Sequence, residues 1–227
     1  MIITFASSKG GVGKSTACAC IAAALAMRGE EVLVLDLDQN RTLATWAKTA
    51  RAANTALAQL TIIAPDAAEF TQVLREKQGA FAHILIDLPG TREITLMKAL
   101  ARSNLVVIPA QPSQPDLKEA CVIVGDLRDI AETQGRSIPY RLLLTKVFPL
   151  RTRVTDHIFG EITRLGLRRF QTCLVERSSY KELFLHGQSP LVTEPGKGGG
   201  SEISDLLAEI EDVLVADDTA HPLAEAV

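Results

Sequence analysis

Aromatic residues are scarce in this 227-residue chain, at 4% with a single tryptophan, so any core must be built from aliphatic side chains. Nearly half the residues are hydrophobic, enough for one sizeable core without covalent staples. Long apolar runs are missing: no eighteen-residue uncharged stretch occurs, which counts against a helical membrane span. The first residues lead straight into a charged, glycine-rich loop rather than an apolar leader, and the expected location is the cytoplasm, with nucleoid association. Cysteine is rare, and Cys18, Cys20, Cys121 and Cys173 show no C-x-x-C spacing. They read as core thiols rather than metal or redox ligands. Lysine and arginine are absent from Glu202 to Val227, which holds eight acids. Anionic lipid would repel such a segment, so no membrane partner is expected.

What is present is concentrated near the start. Residues 9–16, Lys-Gly-Gly-Val-Gly-Lys-Ser-Thr, follow the apolar run Ile2 to Ala6 and precede an alanine-rich helical stretch. Strand, glycine loop and helix in that order form a phosphate cradle. Gly10, Gly11 and Gly13 let the backbone wrap an anion with N–H groups inward, Val12 lying between them, and the helix start adds unpaired donors and a positive dipole end. Lys14 would neutralise the β- and γ-phosphates of a nucleotide triphosphate, Ser15 would give its hydroxyl to Mg²⁺, and Thr16 adds a second hydroxyl. The strict G-x-x-x-x-G-K-[ST] pattern wants glycine where Ser8 stands, and the loop carries Lys9 instead.

With that second lysine, Lys9 to Ser15 resembles the deviant Walker A motif of the ParA/MinD family of P-loop ATPases. The resemblance implies that Lys9 acts in trans on a partner's phosphates in a nucleotide-sandwich homodimer while Lys14 acts in cis.

Phosphoryl transfer further requires a magnesium carboxylate and a group that positions water. Residues 31–38 read as a buried parallel strand ending in Asp36 and Asp38. By resemblance Asp38 orients the attacking water and Asp36 supports the magnesium and phosphate region, although paired aspartates after a strand also serve as helix caps. The family continues Asp-Pro-Gln where this chain has Asp38-Gln39-Asn40. A second strand, His83 to Asp87, runs into Leu88-Pro89-Gly90 and looks like a Walker B carboxylate with a switch turn. Asp87 would hold Mg²⁺ through water, and Gly90 would offer a backbone N–H to the γ-phosphate.

Strands are expected near 2–6, 31–36, 60–63, 82–87, 104–108, 140–145 and 172–175. Helices are expected near 14–28, 41–56, 66–78, 93–102, 116–134, 152–165, 178–186 and 201–215. The alternation predicts an α/β fold, a largely parallel, doubly wound P-loop NTPase sheet with helices on both faces. A single domain over 1–215 and a flexible acidic tail over 216–227 follow. No helix-turn-helix unit precedes the loop, which resembles the small partition ATPases. The segment Ala110 to Asp116 reads as a proline-rich turn ending in a helix cap, and in the family it lies near the nucleotide and dimer interface. Thr145-Lys146, and similarly the Pro190–Pro195 loop, fall where family members contact adenine. Lys197 to Gly200 reads as a flexible connection.

Charge is distributed unevenly: residues 136–181 carry ten lysines and arginines against three acids, within a chain of net charge −3. Such a zone is a footprint for a polyanion, or else a solvated helix face with internal ion pairs. Arg164, Arg168, Arg169 and Lys181 are the expected contacts with nonspecific DNA, then Arg151 and Arg153. The family resemblance implies DNA binding by the ATP-bound dimer and a ParB-like or other partner that stimulates hydrolysis. The expected activity is therefore an ATP- and Mg²⁺-dependent partition or positioning switch. A metabolic P-loop enzyme and a nucleotide-gated binding module with little hydrolysis are the alternatives.

Overall fold

A computed structural model describes residues 1–53, 57–91, 94–150 and 152–220. Its seven strands are β1 (Ile2–Phe5), β2 (Val32–Asp36), β3 (Leu60–Ile63), β4 (His83–Asp87), β5 (Leu105–Ala110), β6 (Tyr140–Val147) and β7 (Leu174–Val175). All pair in parallel, in the order β3-β2-β4-β1-β5-β6-β7. The nine helices of the described residues are α1 (Lys14–Met27), α2 (Thr42–Ala53), α3 (Phe70–Lys77), α4 (Ile94–Leu100), α5 (Gln114–Gln134), α6 (Arg153–Arg164), α7 (Ser178–His186), α8 (Pro190–Thr193) and α9 (Gly198–Ala220).

Strands buried on both faces need apolar residues on both sides, and β1, β2 and β5 are buried along their whole lengths. One core unites α1, α2, α7 and α9 on one face of the sheet; a second unites α3, α4, α5 and α6 on the other. Ten successive residues of α1, Ala17 to Ala26, are buried. A helix enclosed on all sides needs small or apolar side chains all round, which explains its alanines and places Cys18 and Cys20 in the core. Cys121 and Cys173 are only half-buried, a correction to the reading of all four as core thiols.

Two other readings change. The glycines of 198–200 do not form a flexible connection but open α9. Gly199 N–H donates to the Glu194 carboxylate at 2.6 Å. A Cβ on Gly200 would lie 2.2 Å from the Glu194 carbonyl oxygen and 2.9 Å from that of Pro190, so close backbone packing demands glycine there. The Pro190 region is not an open loop either, since Ser189 caps the short α8 by accepting from Leu191 N–H. Helix α9 continues to Ala220, past the expected end at 215. Residues 221–227 of the expected tail, like Arg151, lie outside the described residues.

The strand order has a switch point at β1: the chain first winds outward through β2 and β3, returns to β4, then departs the other way through β5, β6 and β7. Ligands bind outside the carboxyl ends of strands at such a point. The glycine loop leaves β1 there.

Candidate nucleotide site

Strand register assembles the site. Phe5 pairs with Asp87, and Asp87 with Asp36, so the glycine loop and both carboxylates emerge level at one edge of the sheet. Gly13 has φ +90°, a left-handed conformation that favours glycine, and no side chain caps the start of α1. The loop carbonyls are held from outside. Thr145 Oγ1 donates to Val12 O at 2.6 Å and Lys146 Nζ to Gly11 O at 2.7 Å. Since C=O and the following N–H point oppositely across a trans peptide, the Val12 and Gly13 N–H groups point away from Thr145 and Lys146. An anion-binding concavity results.

Lys14 is 5% exposed, and its ammonium donates to the Lys9 carbonyl at 2.9 Å. Burial lowers its pKa, while the Asp87 and Asp38 carboxylates oppose that. Ser15 Oγ donates to Asp87 Oδ2 at 2.6 Å. The other Asp87 oxygen is buried without a partner, and burial pushes its carboxyl up to about 7. An orphaned buried oxygen beside a hydroxyl is the donor set of a hard cation, so the residues fit Mg²⁺.

Gly90 packs directly on the loop: a Cβ there would lie 2.7 Å from Gly10 N and 2.9 Å from Gly10 Cα. Asp36 is buried and fully engaged. Its Oδ2 accepts from Leu43 and Ala44 N–H at 2.9 and 3.0 Å, and its Oδ1 from Asp38 N–H at 3.3 Å. In this state it caps α2 and fixes the turn carrying Asp38. Asp38 accepts from Asn40 N–H at 2.9 Å and lines a cleft of about 260 Å³ with Asp36, Gln39 and Pro89.

Several contacts were not legible beforehand. Lys9 Nζ donates to Asp116, whose side chain is 1% exposed and also accepts from Gln111 N–H at 2.8 Å. Ser8, the departure from the strict glycine pattern, donates its hydroxyl to Glu119. Helix α5 thereby grips the start of the phosphate loop at two points. The segment Ala110 to Asp116 was expected to end in a helix cap before a helix from 116; the cap is Ser113 and α5 begins at Gln114, and nothing in the sequence says that Asp116 also faces Lys9. Beside Gly13 and Thr16 a cleft of about 170 Å³ is lined by Thr145, Lys146, Leu174, Tyr180 and Phe184. The Pro190–Pro195 segment does not line it.

Of the expected DNA contacts, Lys181 stands apart from the others. Lys181 lines that same cleft and pairs with Glu176 at 3.3 Å. Arg168 and Arg169 lie toward the other end of β6, where Leu142 N–H donates to Arg168 O and Arg169 bridges Leu142. Arg169 stacks 4.7 Å from the Phe159 ring centroid, and Arg164 is paired with Glu161. Arg153 opens α6. Among the described residues no helix is long and apolar enough to cross a membrane.

A parallel sheet of this order, with a phosphate loop closing its central strand, defines a ParA-like P-loop ATPase fold. The VirC1 protein family model matches residues 1–194, and the chain belongs to that family. It is 30% identical to protein ParA of Rhizobium radiobacter over 192 residues, 82% of this chain and 83% of that one. It is 25% identical to maintenance of carboxysome distribution protein A of Halothiobacillus neapolitanus over 210 residues, 92% of this chain and 95% of the other. Among solved structures it is similar in fold to the AMPPNP-bound plasmid partition protein of Borrelia burgdorferi, with TM-score 0.70 and 20% identity, covering 93% and 98% of the two chains.

Proposed function

We propose that the protein is an ATP-hydrolysing dimerisation switch that binds nonspecific DNA as its ATP-bound dimer and partitions or positions DNA or another cargo. The observation that carries this reading is the convergence of Lys9, Lys14, Ser15, Asp87 and Gly90 on one glycine loop. Relatives concerned with carboxysome distribution and plasmid partition support the positioning role, and the AMPPNP in the latter supports ATP as ligand.

On ATP binding, Lys14 leaves the Lys9 carbonyl for the β- and γ-phosphates, and the N–H groups of Val12 and Gly13 hold the phosphate chain. The base occupies the cleft beside Thr145 and Lys146. Ser15 and Asp87 hold Mg²⁺, which when bound neutralises phosphate charge. Lys9 leaves Asp116 and reaches the partner protomer's phosphates. Asp38 orients the attacking water, and Gly90, already against the loop, senses the γ-phosphate and relaxes after hydrolysis. A ParB-like or other partner accelerates that step. A nucleotide-gated module with little hydrolysis is a second reading, favoured by the bond from Asn40 N–H that engages Asp38.

Binding to a random-sequence duplex with ATP, ADP or no nucleotide, at two salt concentrations, tests the proposal. ATP-dependent, salt-sensitive binding is expected; absence of binding in every state contradicts the DNA role. Single-turnover hydrolysis separates the second reading, since a rate unchanged by Asp38→Ala would remove that residue from catalysis.

A further inference from the structure

Away from the nucleotide site, a cleft of about 250 Å³ lies between the last turn of α3, the end of α4 and the segment leading from α5 into β6. Arg75, Arg102 and Arg136 all line it, and no acidic residue does. None of the three forms an ion pair among the described residues. The cleft sits at the amino-terminal edge of the sheet. Arg136 Nη2 donates to the carbonyl of Ser103 at 2.6 Å, and the next residue, Asn104, donates its N–H to Ile2 O at the start of β1. The phosphate loop leaves the other end of β1, roughly 13 Å away along a four-residue strand.

We propose that this cleft is a second anion site that takes a phosphoryl group. Three guanidiniums round one small space repel one another, and an oxyanion between them removes that cost while filling their forked donors. Helix ends account for part of the arrangement, since Arg75 lies in the last turn of α3 and Arg102 and Arg136 lie just beyond the ends of α4 and α5, where a cation is favoured. Arg102 spends one N–H on Lys98 O and Arg136 one on Ser103 O, which orients both planes and leaves most of their five donors for a ligand. Arg75 has no hydrogen-bond partner among the described residues.

The remaining walls suit the same ligand. Thr71 precedes Arg75 by one helical turn, so both face the cleft, and the Thr71 hydroxyl is buried with no partner. Gln78 follows at the end of α3 and adds an amide donor. A carboxylate needs a single guanidinium fork. Three of them with a hydroxyl match the several oxygens and negative charge of a phosphoryl group, singly charged as a nucleic-acid backbone phosphate and up to doubly charged on a free phosphorylated molecule.

The test fills the phosphate loop with ADP and Mg²⁺, then titrates inorganic phosphate at constant ionic strength while following the arginine Nε–H signals by NMR. Signals of Arg75, Arg102 and Arg136 should shift together and saturate, and Arg75→Gln should weaken the binding by about tenfold or more. Thr71→Val provides a variant without charge change that should weaken it less. Unchanged ADP affinity and a melting temperature no lower than that of the parent chain in both variants establish that the fold is intact. A random-sequence duplex then distinguishes the sources: competition with phosphate for these signals assigns a backbone phosphate, and phosphate binding without competition assigns a free phosphorylated ligand. Phosphate that leaves the three signals unmoved, or binds Arg75→Gln equally well, overturns the site. Since no ATP-dependent step is involved, that result would leave the nucleotide switch untouched.

Discussion

Lys9 and Lys14 lie five residues apart in one loop, yet their surroundings give them different work. Lys14 is buried in the cradle, whereas the Lys9 side chain is 45% exposed and tethered to Asp116. Lys14→Ala should lower nucleotide affinity by about a hundredfold, the loss expected for charge-assisted contacts to phosphate. Lys9→Ala should leave ADP binding within about twofold, because a residue acting across the dimer contributes little to monomer binding. Calorimetry and ATP-dependent dimerisation by light scattering read the two effects, and equal loss of binding in both variants would contradict the division. Asp87 supplies a pH test. Its raised pKa means that, between the ordinary carboxyl range and about 7, the folded metal-free protein holds a proton that the unfolded chain has released. Stability from this group is therefore lost as pH rises through that window. Asp87→Asn should raise the Tm of the metal-free protein by roughly 3 °C or more at pH 8 and hardly at all at pH 4; equal gains at both values would show that titration is not the cause.

At the scale of elements, residue type predicted the strands well because parallel strands buried on both faces read as unbroken apolar runs. Helix α8 was not foreseen, since four residues are too few to show a period. The opening of α9 was misread because glycine has low helix propensity, and only the approach of the Glu194 and Pro190 carbonyls explains it. Propensity alone makes Gly200→Ala stabilising by up to about 1 kcal/mol. The contact geometry reverses the sign, and urea denaturation should show a loss of about 1–3 kcal/mol. A gain in stability would mean that the α8–α9 junction yields easily.

For the whole molecule, the sheet sorts the basic residues that are neighbours in sequence. Lys181 faces the nucleotide cleft, and Arg168 and Arg169 stand toward the opposite end of β6. Replacing Arg168 and Arg169 with glutamine should weaken DNA binding for all sequences alike and reduce its salt slope by about 2, if each meets one phosphate. Lys181→Gln should alter ATP affinity more than DNA affinity. Filter binding across a salt series and nucleotide calorimetry distinguish these outcomes; the reverse pattern would return Lys181 to the DNA surface.

The order of strand, glycine loop and alanine-rich helix in residues 2–27 was decided by sequence, because backbone freedom at Gly13 and small side chains on α1 are local requirements that local residues meet. So was the alternation that makes the sheet parallel. Partnership across the chain belongs to the tertiary structure. The links of Lys9 to Asp116, Ser8 to Glu119 and Lys146 to Gly11 span 107, 111 and 135 residues. Gathering Arg75, Arg102 and Arg136 at one cleft likewise depends on strand order, which sets adjacent in space what periodicity and propensity, acting over a few residues, cannot relate.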